Sequence, residues 1–320
     1  MTLLYKKIIG YVLVLLVAVA TGFSIGKIYL NSNQAPAAAS GVASDYMTPQ
    51  NELESLYQQS LSKDVSSFNG IELYQIAQYK LGLVDQFKCV TLGEVNSTGQ
   101  IVNMKSVKTK DANTICYYKM SPSKSVLGIQ TPEICAKFAY NIKTAQTNIS
   151  YGTFVSNGPN SEDLSAKFSG TGESWSKEKY IAQFKGTADQ TLLPYIISDK
   201  TCTSANATDL TDNQDGTYSF KINLEGHDVL KIAALCYAQE ITFSCGYESP
   251  SLQWDKVTIT VTIDSDFMFK TIHYDESYTL YSNSIPVLKK AGVVDDFDSV
   301  YYYGADAVLD SEVIKWPKCQ

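Results

Sequence analysis

Hydrophobic and polar positions alternate most strictly in the last third of the chain. Two runs there carry apolar residues at every second position: Tyr218, Phe220, Ile222 and Leu224, then Val257, Ile259, Val261 and Ile263. Strict alternation predicts strands with one buried and one wet face, as in an antiparallel sheet that is covered on one side. Asp264-Ser265-Asp266 then leads into the apolar run 267–274, which predicts a β-hairpin.

Short β-prone runs separated by polar turns also fill an earlier stretch of the chain. The runs cover residues 87–95, 100–110 and 114–120. Gly, Asn, Asp and Ser cluster in the turns between them, as is typical of hairpin connections. This stretch therefore predicts a meander of antiparallel strands.

Three segments carry signals for helices. Thr48-Pro49 predicts the start of one helix, because a hydroxyl cap and an early proline are typical of helix N-termini. Asn69 with Glu72 three residues later predicts a capping box at the start of a second. Ser176 caps a predicted third helix over residues 177–185. Together these elements predict an α+β fold: an N-terminal transmembrane helix, then a curved antiparallel β-sheet (half-barrel) packed on a few helices.

The beginning of the chain predicts that transmembrane helix. Lys6-Lys7 precedes an uncharged, mostly apolar run over residues 8–26. About 20 apolar residues span the ~30 Å hydrocarbon core of a bilayer, and the positive-inside tendency keeps the short N-terminus cytoplasmic. The alternative is a signal peptide cleaved after Ala18-Val19-Ala20. We therefore expect a single-pass protein of the cell membrane with an extracytoplasmic C-terminal domain, or a protein secreted after signal cleavage.

These patterns divide the chain into four parts. Residues 1–30 form the cytoplasmic N-terminus and the anchor or signal peptide, and residues 31–48 form a flexible linker rich in Ala, Ser and Pro. Residues 49–285 form the extracytoplasmic β-rich domain. Residues 286–320 have weak periodicity and are predicted to be a peripheral C-terminal tail.

Net charge narrows the range of partners. Three of the 26 basic residues lie in the first 30 residues, so the exported part carries 23 against 33 acids, a net charge of about −10. Such a surface does not attract nucleic acid, and no nucleic-acid partner is expected. Every basic residue is Lys, which lacks the planar fork with which Arg binds phosphate and carboxylate groups. This composition argues against phosphate-clamping enzymes and phosphopeptide-binding domains.

Seven cysteines are an odd number for an exported chain. Oxidising compartments preserve disulfides, and two pairings are candidates, Cys236 with Cys245 and Cys89 with Cys116. The cysteines could equally be small hydrophobic residues of the core. The chain has no C-x-x-C, so the spacing does not support a zinc or thioredoxin-type site.

No motif predicts an enzyme. The Ser-x-x-Lys pattern of penicillin-binding enzymes occurs three times, but the Ser-Asp-Asn and Lys-Thr-Gly elements that complete such a site are absent from the sequence. Residues 212–216 resemble part of a calcium loop, yet Ile222 then falls at the bidentate acidic position. Neither His227 nor His273 has a catalytic partner nearby in the sequence. We expect a protein that is not an enzyme and that needs no cofactor or metal.

The order of the predicted elements resembles that of the bacterial lipoprotein-carrier-like family (LolA/LppX type). The resemblance covers residues 68–282 and is carried by the late hairpin 257–274 and by the Glu276-Ser277-Tyr278 that follows it. It implies a curved antiparallel sheet that wraps around helices and cradles acyl chains. Carriers of that family are soluble and shuttle between membranes, whereas this chain has a predicted anchor.

Two functions follow as hypotheses. The first is a membrane-tethered extracytoplasmic binding domain that holds an apolar or lipid-like ligand on the concave face of the sheet. The residues predicted to line that face are Tyr218, Phe220, Ile222, Val257, Ile259 and Val261. The alternative is a cell-envelope protein that binds another protein or has a structural role, without a small-molecule ligand. An open apolar space of several hundred Å³ under the sheet favours the first hypothesis, and a close-packed interior favours the second.

Overall fold

The computed structural model of this chain has an α+β fold with antiparallel sheets. It describes residues 40–97, 100–121, 125–126, 129–130, 134–156, 163–168, 173–245, 249–290, 295–303 and 313–315. Within these ranges there are five α-helices and two antiparallel sheets, which confirms the predicted fold class at this level.

The helices lie in two groups along the chain. They are α1 Gln50–Ser60, α2 Gly70–Leu83, α3 Lys177–Phe184, α4 His227–Ala233 and α5 Leu235–Cys245. The predicted capping box is confirmed, since the Asn69 side chain accepts the N–H of Glu72 and the Glu72 carboxylate accepts the N–H of Asn69. Helix α1 begins one residue later than predicted, after Pro49, and has no side-chain cap.

Fourteen of the sixteen strands join in one sheet. The strands are β1 Gln86–Ser97, β2 Gln100–Lys110, β3 Thr114–Ser121, β4 Ser125–Val126, β5 Ile129–Gln130, β6 Ile134–Asn141, β7 Thr147–Ser156, β8 Asp163–Phe168, β9 Ser174–Trp175, β10 Thr211–Asp212, β11 Thr217–Glu225, β12 Pro250–Asp264, β13 Phe269–Ser282, β14 Ile285–Lys290, β15 Asp295–Tyr303 and β16 Val313–Lys315. The main order is β10-β11-β12-β13-β15-β1-β2-β3-β6-β7-β8-β16, with β14 on β13 and β9 on β7, and β4 and β5 pair separately. The meander β1-β2-β3 and the hairpin β12-β13 appear as predicted.

The C-terminal region differs from the prediction of a peripheral tail over residues 286–320. Strand β15 pairs with β13 on one side and with β1 on the other, so it joins the late strands to the early ones. Its sequence is acidic and weakly alternating, and the pairing involves strands that lie far apart in the chain. Local pattern carries no signal for such long-range pairing.

One face of the late strands packs against helices, and we call it the helix-covered face. Ile222 of β11 lies opposite Ile259 of β12, and both side chains are fully buried. Helix α2 lies against this face, where the rings of Tyr74 and Phe269 meet edge to face with centroids 5.5 Å apart. The alternating residues of β11 and β12 thus form part of the main hydrophobic core.

Residues 41–48, which belong to the predicted flexible linker 31–48, are folded onto the body of the protein. Ala43 is fully buried in a small cluster with Ile196, Leu235 and Cys236. Its N–H donates to the carbonyl of Lys185 at 2.6 Å. We call residues 41–48 the strap. The linker prediction is therefore wrong for the strap, and residues 31–39 lie outside the described ranges.

The structure also corrects the proposed disulfides. Cys89, Cys116 and Cys236 are buried and carry thiols. Cys89 lies on β1 and Cys116 on β3, with β2 between them. Two strand spacings amount to about 10 Å, which exceeds the Cα separation of about 7 Å that a disulfide can bridge.

None of the helices in the described ranges is both long and apolar enough to cross a bilayer. The predicted anchor, residues 8–26, lies outside those ranges. The membrane helix stays a prediction from the sequence.

Candidate functional site

The six residues predicted to line a ligand face lie together on β11 and β12. Tyr218 is half-buried, and the other five side chains are at most 2% exposed. Their neighbours are side chains of the main core. None of the six lines either of the two cavities described below. Their role in ligand binding stays a prediction.

An open cleft lies instead on the outer side of β11, with a volume of about 420 Å³. One wall is the segment 199–206, and the other comes from the end of β11 and the first turn of α4. The residues that line the cleft are Asp199, Lys200, Thr201, Cys202, Thr203, Ala205, Asn206, Asn223, Glu225 and Val229. Asn223 and Glu225 alternate with buried Ile222 and Leu224, so their side chains point away from the core.

A hydrogen-bonded turn fixes the first part of the wall. The Cys202 N–H donates to the Ser198 carbonyl at 2.9 Å. The Thr201 hydroxyl accepts from the Ser198 N–H at 3.0 Å and donates to the Ile196 carbonyl at 2.8 Å. Because Ser198, Thr201 and Cys202 are all buried, these bonds are protected from water and hold the turn in one shape.

The side chain of Asn206 attaches the second part of the wall to the sheet. Its Nδ2 donates to the Asn223 carbonyl at 2.9 Å, and its Oδ1 accepts from the Thr203 N–H at 2.8 Å. The Asn223 Oδ1 in turn accepts from the Thr258 hydroxyl at 3.0 Å. Both partners of the Asn206 amide are therefore within the protein, which preorganises the cleft before any ligand arrives.

The polar lining of the cleft combines two acidic residues and one basic residue with threonine and asparagine. Asp199 and Glu225 are the acidic residues of the lining, and the Lys200 ammonium donates to the Asp45 carbonyl of the strap at 2.6 Å. Val229 and Ala205 add apolar surface. This lining suits a small polar molecule with amine or hydroxyl groups, because such donors match carboxylate and carbonyl acceptors.

The thiol of Cys202 lies at the wall of the cleft but is poorly suited to nucleophilic chemistry. Burial raises its pKa above the usual value for a thiol, although hydrogen bonds with Thr201 and Ser198 oppose this effect. The nucleophilic form of cysteine is the thiolate. In the part of the chain that the structure describes, no group of three or more His, Cys, Asp or Glu side chains could hold a metal ion.

A second cavity lies under the early strands and is far smaller. Its volume is about 20 Å³, which gives room for one water molecule. Lys108, Thr191 and Glu240 are among the residues that line it, and the Lys108 ammonium donates to the Thr191 carbonyl at 2.9 Å. This cavity is too small for an organic ligand.

Sequence reasoning missed the cleft. Its walls come from segments that are brought together only by the fold, and the polar stretch 199–206 has no periodicity. Asn206 heads an Asn-x-Thr sequence, which marks a glycosylation acceptor in some exported proteins. In the structure its side chain is engaged in the wall. No signal in the sequence identifies it as a structural asparagine.

Comparison with known proteins gives little further guidance. No family model matches the chain, and no curated protein matches it. One solved structure to which it is similar is that of a DUF1329 family protein from Desulfovibrio piger. The two share 8% sequence identity with a TM-score of 0.19, over 81% of this chain and 95% of that chain. A TM-score of 0.19 does not establish a shared fold.

Proposed function

We propose that this chain is a membrane-tethered extracytoplasmic binding protein whose ligand occupies the cleft between residues 199–206 and the end of β11. The volume of about 420 Å³ is the observation that carries the proposal. Small-molecule sites commonly enclose about 300–1,000 Å³ and are largely formed before the ligand binds. The hydrogen-bonded walls of this cleft meet the second condition.

The chemistry of the lining favours a small polar ligand over a lipid. A ligand amine would lie beside the carboxylates of Asp199 and Glu225, and its carbon skeleton would contact Val229. An acyl chain in the same place would desolvate those carboxylates without offering them a hydrogen bond, which is unfavourable. We therefore place an amine- or hydroxyl-bearing molecule in the cleft, in place of the apolar ligand expected on the helix-covered face.

The tether and the location belong to the same proposal. Residues 8–26 would anchor the chain in the cell membrane and leave the cleft outside the cytoplasm. We propose binding without catalysis, in keeping with a thiol whose raised pKa keeps it protonated.

A second candidate function is a protein–protein interaction in the cell envelope. The observation that favours it is the dense packing of the helix-covered face, where Ile222, Ile259 and Val261 are fully buried. Residues that pack as a core leave no space there for a small ligand.

A thermal-shift screen with two matched variants separates these functions. The full chain in detergent micelles is tested against amino acids, polyamines, sugars and fatty acids. Val229→Trp fills the cleft, and Ile142→Trp introduces a tryptophan outside it, at a residue that does not line the cleft; both wild-type residues are 37% exposed. We expect a polar compound that raises the Tm of the wild type and of Ile142→Trp but not of Val229→Trp. The Kd of this compound should be at least about tenfold higher for Val229→Trp than for the wild type.

Two results would contradict binding in the cleft. One is a fatty acid that raises the Tm of all three proteins equally, because the ligand would then lie elsewhere. The other is a polar compound whose effect survives Val229→Trp. If no compound acts and a second envelope protein co-purifies equally with all three proteins, the interaction function is favoured.

A further inference from the structure

The strap is attached to the same segment that forms one wall of the cleft. The Ser198 hydroxyl donates to the Tyr46 carbonyl at 2.5 Å, and the Lys200 ammonium donates to the Asp45 carbonyl at 2.6 Å. Ser198 begins the turn that shapes the wall, and Lys200 lines the cleft. The strap is therefore bonded to one residue that lines the cleft and to the residue that begins the turn of its wall.

Ser198 links the strap to the turn directly, because its hydroxyl has one hydrogen-bond partner in each. While it donates to the strap, it accepts the N–H of Lys200 at 3.2 Å within the turn. The residue is fully buried. If the strap leaves, this hydroxyl loses the Tyr46 carbonyl as its acceptor, and the turn loses part of the hydrogen bonding that fixes its shape.

One small apolar cluster and a few hydrogen bonds hold the strap on the body of the protein. Its apolar contacts are those of Ala43 with Ile196, Leu235 and Cys236, with Tyr46 and Met47 packed at the edge. At its C-terminal end, the Thr48 hydroxyl accepts from the Gln75 amide at 2.8 Å. A short segment with one small cluster and a few hydrogen bonds belongs to the low-stability end of a protein, where local opening takes place.

We propose that the strap regulates the cleft. When docked, it holds the wall 199–206 in the ligand-binding shape; when displaced, it releases the wall and weakens binding. By linkage, a ligand in the cleft stabilises the docked strap by the same factor. The strap follows the predicted anchor along the chain, with residues 27–40 between them, so tension or cleavage on the membrane side would reach the strap before the cleft. The ligand part of this statement rests on the proposed function, whereas the coupling of strap and wall does not.

Two buried thiols show, without any ligand, whether the strap has opened and whether the wall of the cleft has opened. Cys236 packs under Ala43 of the strap, and Cys202 lies in the wall of the cleft. Cys89 lies in the main core and reports global unfolding. Labelling of the full chain in micelles with a maleimide, read residue by residue by mass spectrometry, gives an opening rate at each site.

The test uses Ser198→Ala and a matched control, Ser60→Ala. Both serines are buried, at 0% and 8% exposure, and both hydroxyls donate to a backbone carbonyl, but Ser60 lies in α1 and bonds to Tyr57. In Ser198→Ala we expect the labelling of Cys202 and Cys236 to accelerate about tenfold, a typical size for coupling between sites. Ser60→Ala should leave both rates within about twofold of wild type, as expected for a distant site.

A second variant displaces the strap directly. Ala43→Asp places a charge in the buried cluster, so Cys236 should be labelled faster, and the coupling predicts the same for Cys202. Accelerated labelling of Cys236 with Cys202 unchanged, in either variant, would overturn the proposal. If Ala43→Asp also exposes Cys89, the fold is lost and Ser198→Ala decides alone. No ligand enters the test, so a cleft that proves to bind nothing would refute the proposed function and leave the coupling intact.

Discussion

Glu276 is the most deeply buried acidic side chain in the described part of the chain, at 1% exposure. Its Oε1 accepts from the Tyr195 hydroxyl at 2.5 Å, and its Oε2 accepts from the Tyr237 hydroxyl at 3.5 Å. Tyr195 comes from the loop before the cleft wall, and Tyr237 comes from α5. The carboxyl group thus joins a loop and a helix to β13, because a buried acidic group requires donors.

Removing one of these hydrogen-bond donors should lower the free energy of unfolding. Tyr195→Phe leaves Glu276 short of a hydrogen bond in the core, and we expect the free energy of unfolding to fall by about 1–3 kcal/mol. Tyr281→Phe makes the same chemical change where the partner, Gln253, is exposed and can bond to water. That control should lose less than about 1 kcal/mol. Equal losses in the two variants, measured by urea unfolding, would show that Glu276 does not depend on Tyr195.

Cys236 should make the protein less stable at high pH. Burial, with a further contribution from the Glu240 carboxylate, raises the pKa of its thiol from 9.0 to about 12. Between these two pKa values, the Cys236 thiol is deprotonated in the unfolded chain and protonated in the folded chain. Its contribution to the free energy of unfolding is therefore fully present below about pH 9 and is lost as the pH rises to about 12. In Cys236→Ala, the plot of unfolding free energy against pH should be shallower between pH 9 and 11, by up to about 1.4 kcal/mol per pH unit. Parallel plots would contradict the assignment.

At the scale of elements, helix α2 shows how a local signal and a tertiary contact combine. The capping box at Asn69 fixes where the helix begins, and Gly70 follows at once. A Cβ atom on Gly70 would lie 2.9 Å from Ala207 Cβ and 2.9 Å from Phe220 Cδ2. The close approach of α2 to β11 therefore requires glycine at this position.

Two glycines of α2 give opposite predictions for the same substitution. Gly70→Ala should destabilise the protein by about 1–3 kcal/mol through overpacking against β11. Gly82→Ala meets no atom within 4 Å, so it should stabilise the protein by about 0.4–1 kcal/mol because alanine restricts the unfolded chain. Thermal unfolding of the two variants checks the contrast. A Gly70→Ala protein as stable as Gly82→Ala would mean that α2 and β11 lie further apart.

Helices and strands with a strong local signal could be predicted from the sequence. The capping box at Asn69, the Ser176 cap and the alternation in β11 and β12 each depend on residues a few positions apart, and each predicts the element that the structure has. Helices α4 and α5 could not be predicted in the same way. Ala233, Ala234, Leu235 and Cys236 are all buried in succession, so no single face of this segment stands out by its polarity.

At the scale of the whole molecule, β15 holds the sheet together. It pairs with Thr271–Asp275 of β13 through residues 295–299 and with Gln86–Leu92 of β1 through residues 297–303. The cleft likewise depends on segments that are distant in sequence. Neither feature could be predicted from local pattern, because long-range pairing is decided by the folded chain as a whole.

Truncation tests the role of β15. A chain that ends after Lys290 loses β15, and β13 and β1 then expose the backbone edges that β15 covers. We expect this chain to aggregate or to lose a single cooperative thermal transition. A chain that ends after Tyr303 keeps β15 and should unfold cooperatively, as measured by circular dichroism and size-exclusion chromatography. Similar transitions for both chains would contradict a central position for β15.

The location of a bound ligand tests directly whether the cleft is the binding site. The measurement is a crystal structure of the protein with the compound that the thermal-shift screen selects. We expect electron density for the compound between residues 199–206 and Glu225, with the strap docked and with Ile222 and Ile259 still packed against each other. Density between the sheet and helix α2, with those core residues moved apart, would contradict it.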